Sequence, residues 1–220
     1  MAQSNRLPDS AKLYNRGILS LYDAYVLGFS NTFAWRCPTK YLLAHYHAHV
    51  GSRHLDIGPG TGFFLDRCKF PEQNPQIDLL DINEAPLKNT SERIRRYHPR
   101  THVGDIYNPP ASIQGPYQSI GINYVLHCLP GTLTEKGDPI LEQWVKTLSC
   151  NQGCLFGSTI LGQSVRHNLL GRSLMQFYND RKIFDNQNDE LADLEQLMNR
   201  HFARHTLEVK GCVALFAGFV

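Results

Sequence analysis

The chain has 220 residues, 42% of them hydrophobic, enough to bury one substantial core and an appendage but too few for two full domains. Its 22 basic and 20 acidic residues leave a formal charge of +2, so it lacks the broad electrostatic footprint of a protein that grips nucleic acid or an anionic membrane. A small, mostly uncharged ligand suits that balance better.

Residues 1–10 are polar, with Arg6 and Pro8, and lack the apolar stretch of a secretory signal. No window approaches the roughly 18 apolar residues of a membrane-spanning helix. The expectation is a cytoplasmic protein whose cysteines (Cys37, Cys68, Cys128, Cys150, Cys154 and Cys212) are buried free thiols, since they lack the double Cys-x-x-Cys spacing of a zinc site.

Over residues 13–29, Tyr14, Ile18, Leu21, Tyr22, Tyr25, Val26 and Phe29 recur close to helical spacing, predicting an amphipathic helix. A second helix is expected after Pro38, with Tyr41, Leu42 and His45 on one face and Gly51 at its end. His45 and His49 stand four apart on it, but neither the glutamate of H-E-x-x-H nor a third ligand accompanies them, so a solvated face and no metal are expected. Residues 1–50 carry no strand signal and read as a helical cap.

Beyond Gly51 the pattern becomes strand, turn, helix. The apolar run 54–57 meets a glycine-rich turn and then a helix through Phe63, Phe64, Leu65 and Cys68. A second strand, 77–81, precedes a helix through Leu87, Ile94 and Tyr97 with Pro86 in its first turn; its Arg93, Arg95 and Arg96 read as a solvated outer face. Short strand 101–103 ends at Gly104-Asp105, and 119–126 is apolar enough to be central. Asp138-Pro139 is expected to start a helix carrying Ile140, Leu141, Trp144, Val145 and Leu148, followed by strand 154–160. After a polar and helical insertion at 162–188, Asp189 is expected to cap a helix with Leu191, Leu194, Leu197 and Met198 inward. Runs 205–209 and 212–219, separated by Lys210-Gly211, must form an antiparallel hairpin. Alternating strands and helices imply a doubly wound, mostly parallel α/β sheet.

The chemistry concentrates at Asp56-Ile57-Gly58-Pro59-Gly60-Thr61-Gly62-Phe63. Glycines between strand and helix allow positive φ and close approach of a ligand to the backbone. The dinucleotide fingerprint needs glycine or alanine where Phe63 stands, and Asp56 would repel a pyrophosphate while attracting an ammonium group. Asp81, about twenty residues on, has the spacing of a ribose-binding carboxylate. Asp105 can take an adenine amino hydrogen or simply close a turn.

These segments, with Leu80-Asp81-Ile82-Asn83, Gly104-Asp105-Ile106 and Ile122-Asn123-Tyr124-Val125-Leu126-His127-Cys128-Leu129-Pro130, resemble the class I S-adenosylmethionine (SAM) dependent methyltransferases. The resemblance implies a seven-stranded sheet with an antiparallel last strand over residues 51–220, a helical cap over 1–50, and release of S-adenosylhomocysteine. It puts Asp56, Gly58, Pro59, Gly60, Thr61 and Gly62 around the methionine part, Asp81 and Ile82 at the ribose, and Asp105 and Ile106 at the adenine. Asn123 would lie beside the methyl donor.

The cap aromatics Tyr14, Tyr22, Tyr25, Phe33 and Trp35, and His167, Met175 and Tyr178 of the insertion, are the candidate acceptor wall; ordinary helix packing is the competing reading. His127 is the candidate general base, with pocket shaping or a loop hydrogen bond as its alternative. The expected activity is methyl transfer to a small, largely apolar acceptor of specialised metabolism, without nucleic acid or membrane partners. Retention of SAM for a non-methylating step such as cyclisation is the alternative, and a nicotinamide oxidoreductase or a non-catalytic binding protein is a third reading.

Overall fold

The computed structural model describes residues 23–149 and 152–220. Its centre is a seven-stranded sheet: β1 (Arg53–Ile57), β2 (Gln76–Asp81), β3 (Arg100–Val103), β4 (Ser119–Asn123), β5 (Cys154–Ile160), β6 (Arg204–Lys210) and β7 (Val213–Phe219). The order is β3-β2-β1-β4-β5-β7-β6. The pairs among β1 to β5 are parallel, whereas β7 runs antiparallel to both β5 and β6. This is the doubly wound sheet with an antiparallel last strand that the sequence predicts.

Among the described residues, seven helices longer than a single 3-10 turn surround it: α1 (Asp23–Ala34), α2 (Thr39–His49), α3 (Phe63–Arg67), α4 (Glu84–Arg93), α5 (Leu133–Val145), α6 (Leu169–Asp180) and α7 (Leu191–His201). The two-residue period of β1 sorts them. Leu55 and Ile57 join Ile140, Trp144, Leu194 and Leu197 of α5 and α7 in one core. His54 and Asp56 point oppositely, where Tyr46 of α2, Leu65 of α3 and Leu87 of α4 pack with Phe156. A third cluster joins the end of α1 (Ala34, Trp35) to Met175 of α6 and to Ile160 and Val213 of β5 and β7.

Several local expectations are corrected. Strand β4 stops at Asn123, because Tyr124 takes a φ of 58° and Leu126–Cys128 forms a 3-10 turn. Helix α5 begins six residues earlier than expected: Thr132 and Glu135 form a reciprocal capping box, and Pro139 lies within the helix. Asp138 instead meets Arg200 and His201, each at 2.8 Å. Residues 104–118 link β3 to β4 without a helix. On α2 the buried residues are Leu42 and Tyr46, while His45 and His49 lie against Phe156 rather than in solvent. Helix α1 is wound with the wider i→i+5 pattern. Tyr14 and Tyr22 lie outside the described residues, as do Cys150 and the side chain of Tyr25.

Asp189 is not a helix cap either. It forms an ion pair with Lys136 at 2.9 Å, both side chains being essentially inaccessible, and Glu190 precedes α7 instead. The Lys136 ammonium also donates to the carbonyls of Asp185 (2.6 Å) and Leu129 (3.3 Å). One buried cation thus ties α5, the loop after β4 and the start of α7 together. Lys136→Met is expected to lower unfolding stability by about 3–5 kcal/mol, because it strands Asp189 in the core, whereas Lys136→Met/Asp189→Leu recovers most of the loss. Chemical denaturation of the two variants checks this.

Candidate functional site

The sheet order reverses between β1 and β4, and the crevice at the C-terminal ends of these two strands is where open α/β sheets bind ligands. Two turns meet there. After β1 the chain passes from strand to α3 through Gly58, Gly60 and Gly62, at φ of 67°, 58° and 73°. A Cβ on Gly58 would come within 2.5 Å of Val125, in the turn after β4. Gly62 is equally confined, with Thr90 of α4 2.8 Å from its would-be Cβ. A Cβ on Gly60 would meet nothing within 4 Å, leaving open space at the crest of the turn.

The turn is pinned from three sides. Gly58 N–H donates to Leu80 C=O of β2 at 2.8 Å, extending the sheet ladder into the turn, and Gly62 N–H donates to Pro59 C=O at 2.9 Å. Thr90 donates its hydroxyl to Gly60 C=O at 3.1 Å. Arg93 reaches Thr61 C=O at 3.1 Å and Asp66 at 3.4 Å, and Arg96 joins Asp66 at 2.7 Å. These two arginines therefore brace the turn and α3, a role that the expectation of a solvated face missed.

Carboxylates stand at the ends of β1, β2 and β3. Asp56 is buried and accepts a short hydrogen bond from Tyr46. Asp81 closes β2; one of its oxygens accepts the backbone N–H of Asn83 at 2.9 Å, and burial pushes its carboxyl up to about 6. Ile82 beside it is 42% exposed, an apolar side chain facing outward next to the glycine turn. Asp105 accepts the N–H of Tyr107 at 2.9 Å and so closes a turn, as its competing reading allowed. Ile106 has its side chain in the main core, and its carbonyl accepts from the Trp144 indole at 3.0 Å.

Asn123 ends β4. Its amide oxygen accepts from the Ser158 hydroxyl at 3.1 Å, while its amide nitrogen is buried with no partner. A stranded amide donor costs free energy unless a ligand takes it up. Tyr124 follows in the left-handed region, a strained conformation for a bulky residue. Its hydroxyl donates to Asn31 of α1 at 2.9 Å, so the strained turn is fastened to the cap.

His127 is not placed as a general base. Its Nδ1 accepts the backbone N–H of Ile160 at 3.3 Å, which leaves the ring neutral with the proton on Nε2. Burial, aided by the Lys136 charge, pulls its pKa down to about 3. A ring in this state can donate but has no free lone pair to take a proton, and Phe184 and Tyr124 enclose it.

The insertion supplies a cavity of about 740 Å³ beyond the end of β5, lined by Gly162, Val165, His167, Arg172, Met175 and Gln187 among others. His167 and Met175 share this wall. Trp35 and Tyr178 instead pack around Phe184, at ring separations of 6.2 and 4.6 Å. Among the described residues no group of three or more His, Cys, Asp or Glu can hold a metal ion, and no helix is long and apolar enough to cross a membrane.

No family model matches the chain. It is 40% identical over 196 residues to the YbcY protein of Escherichia coli (strain K12), spanning 87% of this chain and 97% of that one. It is 34% identical over 203 residues to demethylluteothin O-methyltransferase of Streptomyces thioluteus, covering 92% and 87% of the two chains. Among solved structures, the complex of DhpI with S-adenosylhomocysteine superposes over 99% of this chain and 98% of its own, with a TM-score of 0.68. At 14% identity that likeness speaks for the fold alone.

Because burial raises the Asp81 pKa, this group favours the folded state most below the unfolded value of about 4 and loses that contribution as pH rises through about 6. Asp81→Asn is therefore expected to raise the melting temperature of the ligand-free protein at pH 8 and to raise it by much less at pH 4.5. Thermal denaturation at the two pH values measures the difference.

Proposed function

The chain belongs to the class I SAM-dependent methyltransferases, and from that premise we propose that it transfers a methyl group to an oxygen of a small-molecule acceptor. The relation to demethylluteothin O-methyltransferase over nearly the whole length of both chains carries this reading. When bound, SAM supplies a methyl group already activated on a sulfonium, so the work left to the protein is to hold donor and acceptor in line.

The crevice fits such a cofactor by its own features. Open space above Gly60, the unpartnered Asn123 amide and the partly exposed Asp81 carboxylate lie at the ends of adjacent strands. In this reading Asp56 and the turn from Gly58 to Gly62 hold the amino-acid end, Asp81 accepts the ribose hydroxyls and Ile82 covers the base. Asp105 takes the adenine amino group through its carboxylate. Asn123 donates its free amide hydrogen near the reacting centre. His127, neutral and enclosed, shapes that region rather than removing a proton.

The acceptor enters from the side of β5, where the Gly162–Gln187 cavity opens. Val165 and Met175 give its wall an apolar portion, while Arg172 and Gln176 suit oxygen substituents, so an oxygenated small molecule fits better than a purely apolar one. Residues 1–50 act as the cap, with 51–220 carrying the cofactor.

Two measurements test the reading. Hydroxyl-bearing aromatic compounds incubated with protein and SAM are expected to yield S-adenosylhomocysteine in equal amount to methylated product; turnover without it would favour a non-methylating reaction and refute the proposal. Calorimetry is expected to show S-adenosylhomocysteine binding that is flat above pH 7 and about tenfold weaker at pH 5, because a proton competes with the ribose hydroxyls for Asp81. Asp81→Asn removes that pH dependence and weakens binding.

A further inference from the structure

A carboxylate on a central strand stays ionised only if hydrogen bonds or a counter-charge replace the water it has lost. Asp56 keeps 6% of its side chain exposed and lies at the foot of the glycine turn. Its replacement for water comes from the cap. The Tyr46 hydroxyl on α2 donates a short hydrogen bond to Asp56 Oδ2, and the same hydroxyl lies 2.9 Å from His54 Nε2. On the far side of that ring, His54 Nδ1 is 2.7 Å from the Ser119 hydroxyl, which accepts the N–H of Gly51 at 2.7 Å.

These contacts form one continuous chain. Gly51 N–H donates to Ser119 and Tyr46 donates to Asp56, and between them the His54 ring bridges Ser119 through Nδ1 and Tyr46 through Nε2, which also lies 3.5 Å from Asp56 Oδ2. The chain replaces water around the buried carboxylate with hydrogen bonds. The Tyr46 ring cannot swing away: it stacks on Phe64 of α3 at 5.6 Å and meets the edge of Phe156 at 5.1 Å. Space for the imidazole comes from Gly121 on β4, where a Cβ would approach His54 Cε1 to 3.2 Å.

A carboxylate held at the foot of the glycine turn by a phenol hydroxyl and an imidazole, with no lysine or arginine paired to it among the described residues, is suited to an ammonium ligand. We propose that Tyr46, backed by His54 and Ser119, is a positioning residue that holds Asp56 as the anionic partner of the cofactor's α-ammonium group. This rests on the cofactor reading above. It makes α2 part of the cofactor site although it carries none of the glycine motif, and it assigns the Tyr46 hydroxyl a role that the phenylalanine ring alone cannot fill.

The test compares two nucleosides in calorimetry with the full-length protein. S-Adenosylhomocysteine carries the α-ammonium group, whereas 5′-methylthioadenosine keeps the ribose and adenine but lacks the amino acid. Tyr46→Phe is expected to raise the Kd for S-adenosylhomocysteine by about tenfold, the size of one lost charge-assisted hydrogen bond. Binding of 5′-methylthioadenosine should stay within twofold of the parent, which also reports that the variant folds. In an Asp56→Asn background the Tyr46 substitution should add less than twofold, since the group it positions is gone. Unchanged affinity for both nucleosides would overturn the proposal, and so would an equal loss for both, which would mean that Tyr46 only supports the turn. If the parent binds neither nucleoside, the cofactor reading itself fails and this one with it.

Discussion

Between Ile57 and Phe63 the chain must leave a buried strand, reverse and enter a helix within five residues, three of which take positive φ. Side chains would raise the conformational energy at these positions, and at two of them a Cβ would also strike a neighbour. The rest of the molecule is arranged around keeping this turn bare. β2 continues its ladder into it through Leu80, Val125 closes on Gly58 from the end of β4, and α4 supplies Thr90 and Arg93. The crevice between β1 and β4 is therefore walled by backbone at close range, which is what recognition of a compact polar ligand requires.

Two buried polar systems lie on opposite faces of the sheet. On one face the chain from Gly51 to Asp56 joins α2, β1 and β4. On the other, Lys136 and Asp189 join α5 to the segment before α7, and the same ammonium holds the loop that carries His127. Such groups lose solvation on burial and are stable only with their full set of partners. They consequently constrain how α2 and α5 are seated against their neighbours.

Much of this was legible along the chain because its signals are local. Alternation of apolar runs, the glycine turn and the Lys210-Gly211 link follow from hydrophobic period and backbone sterics, which act over a few residues. The errors share a different origin. Asp138-Pro139 looks like a helix start, but Thr132 and Glu135 cap the helix reciprocally six residues earlier. Asp189 looks like a cap until Lys136, 53 positions away by their numbers, is found beside it. Strand β4 looks eight residues long because apolar content continues past Asn123, whereas the chain turns sharply at Tyr124.

The sequence by itself determined the class of fold, the position of the glycine turn and the carboxylates that follow it, since each depends on residue type and spacing within one strand-turn-helix unit. Only the tertiary structure decided what those groups do. It made His127 a neutral donor by setting Nδ1 against the Ile160 amide, turned Ile106 into the core, left the Asn123 amide without a partner and brought Tyr46 to Asp56. Protonation state, hydrogen-bond direction and desolvation depend on atoms that the fold gathers from distant stretches of chain, and spacing along one segment carries no record of them.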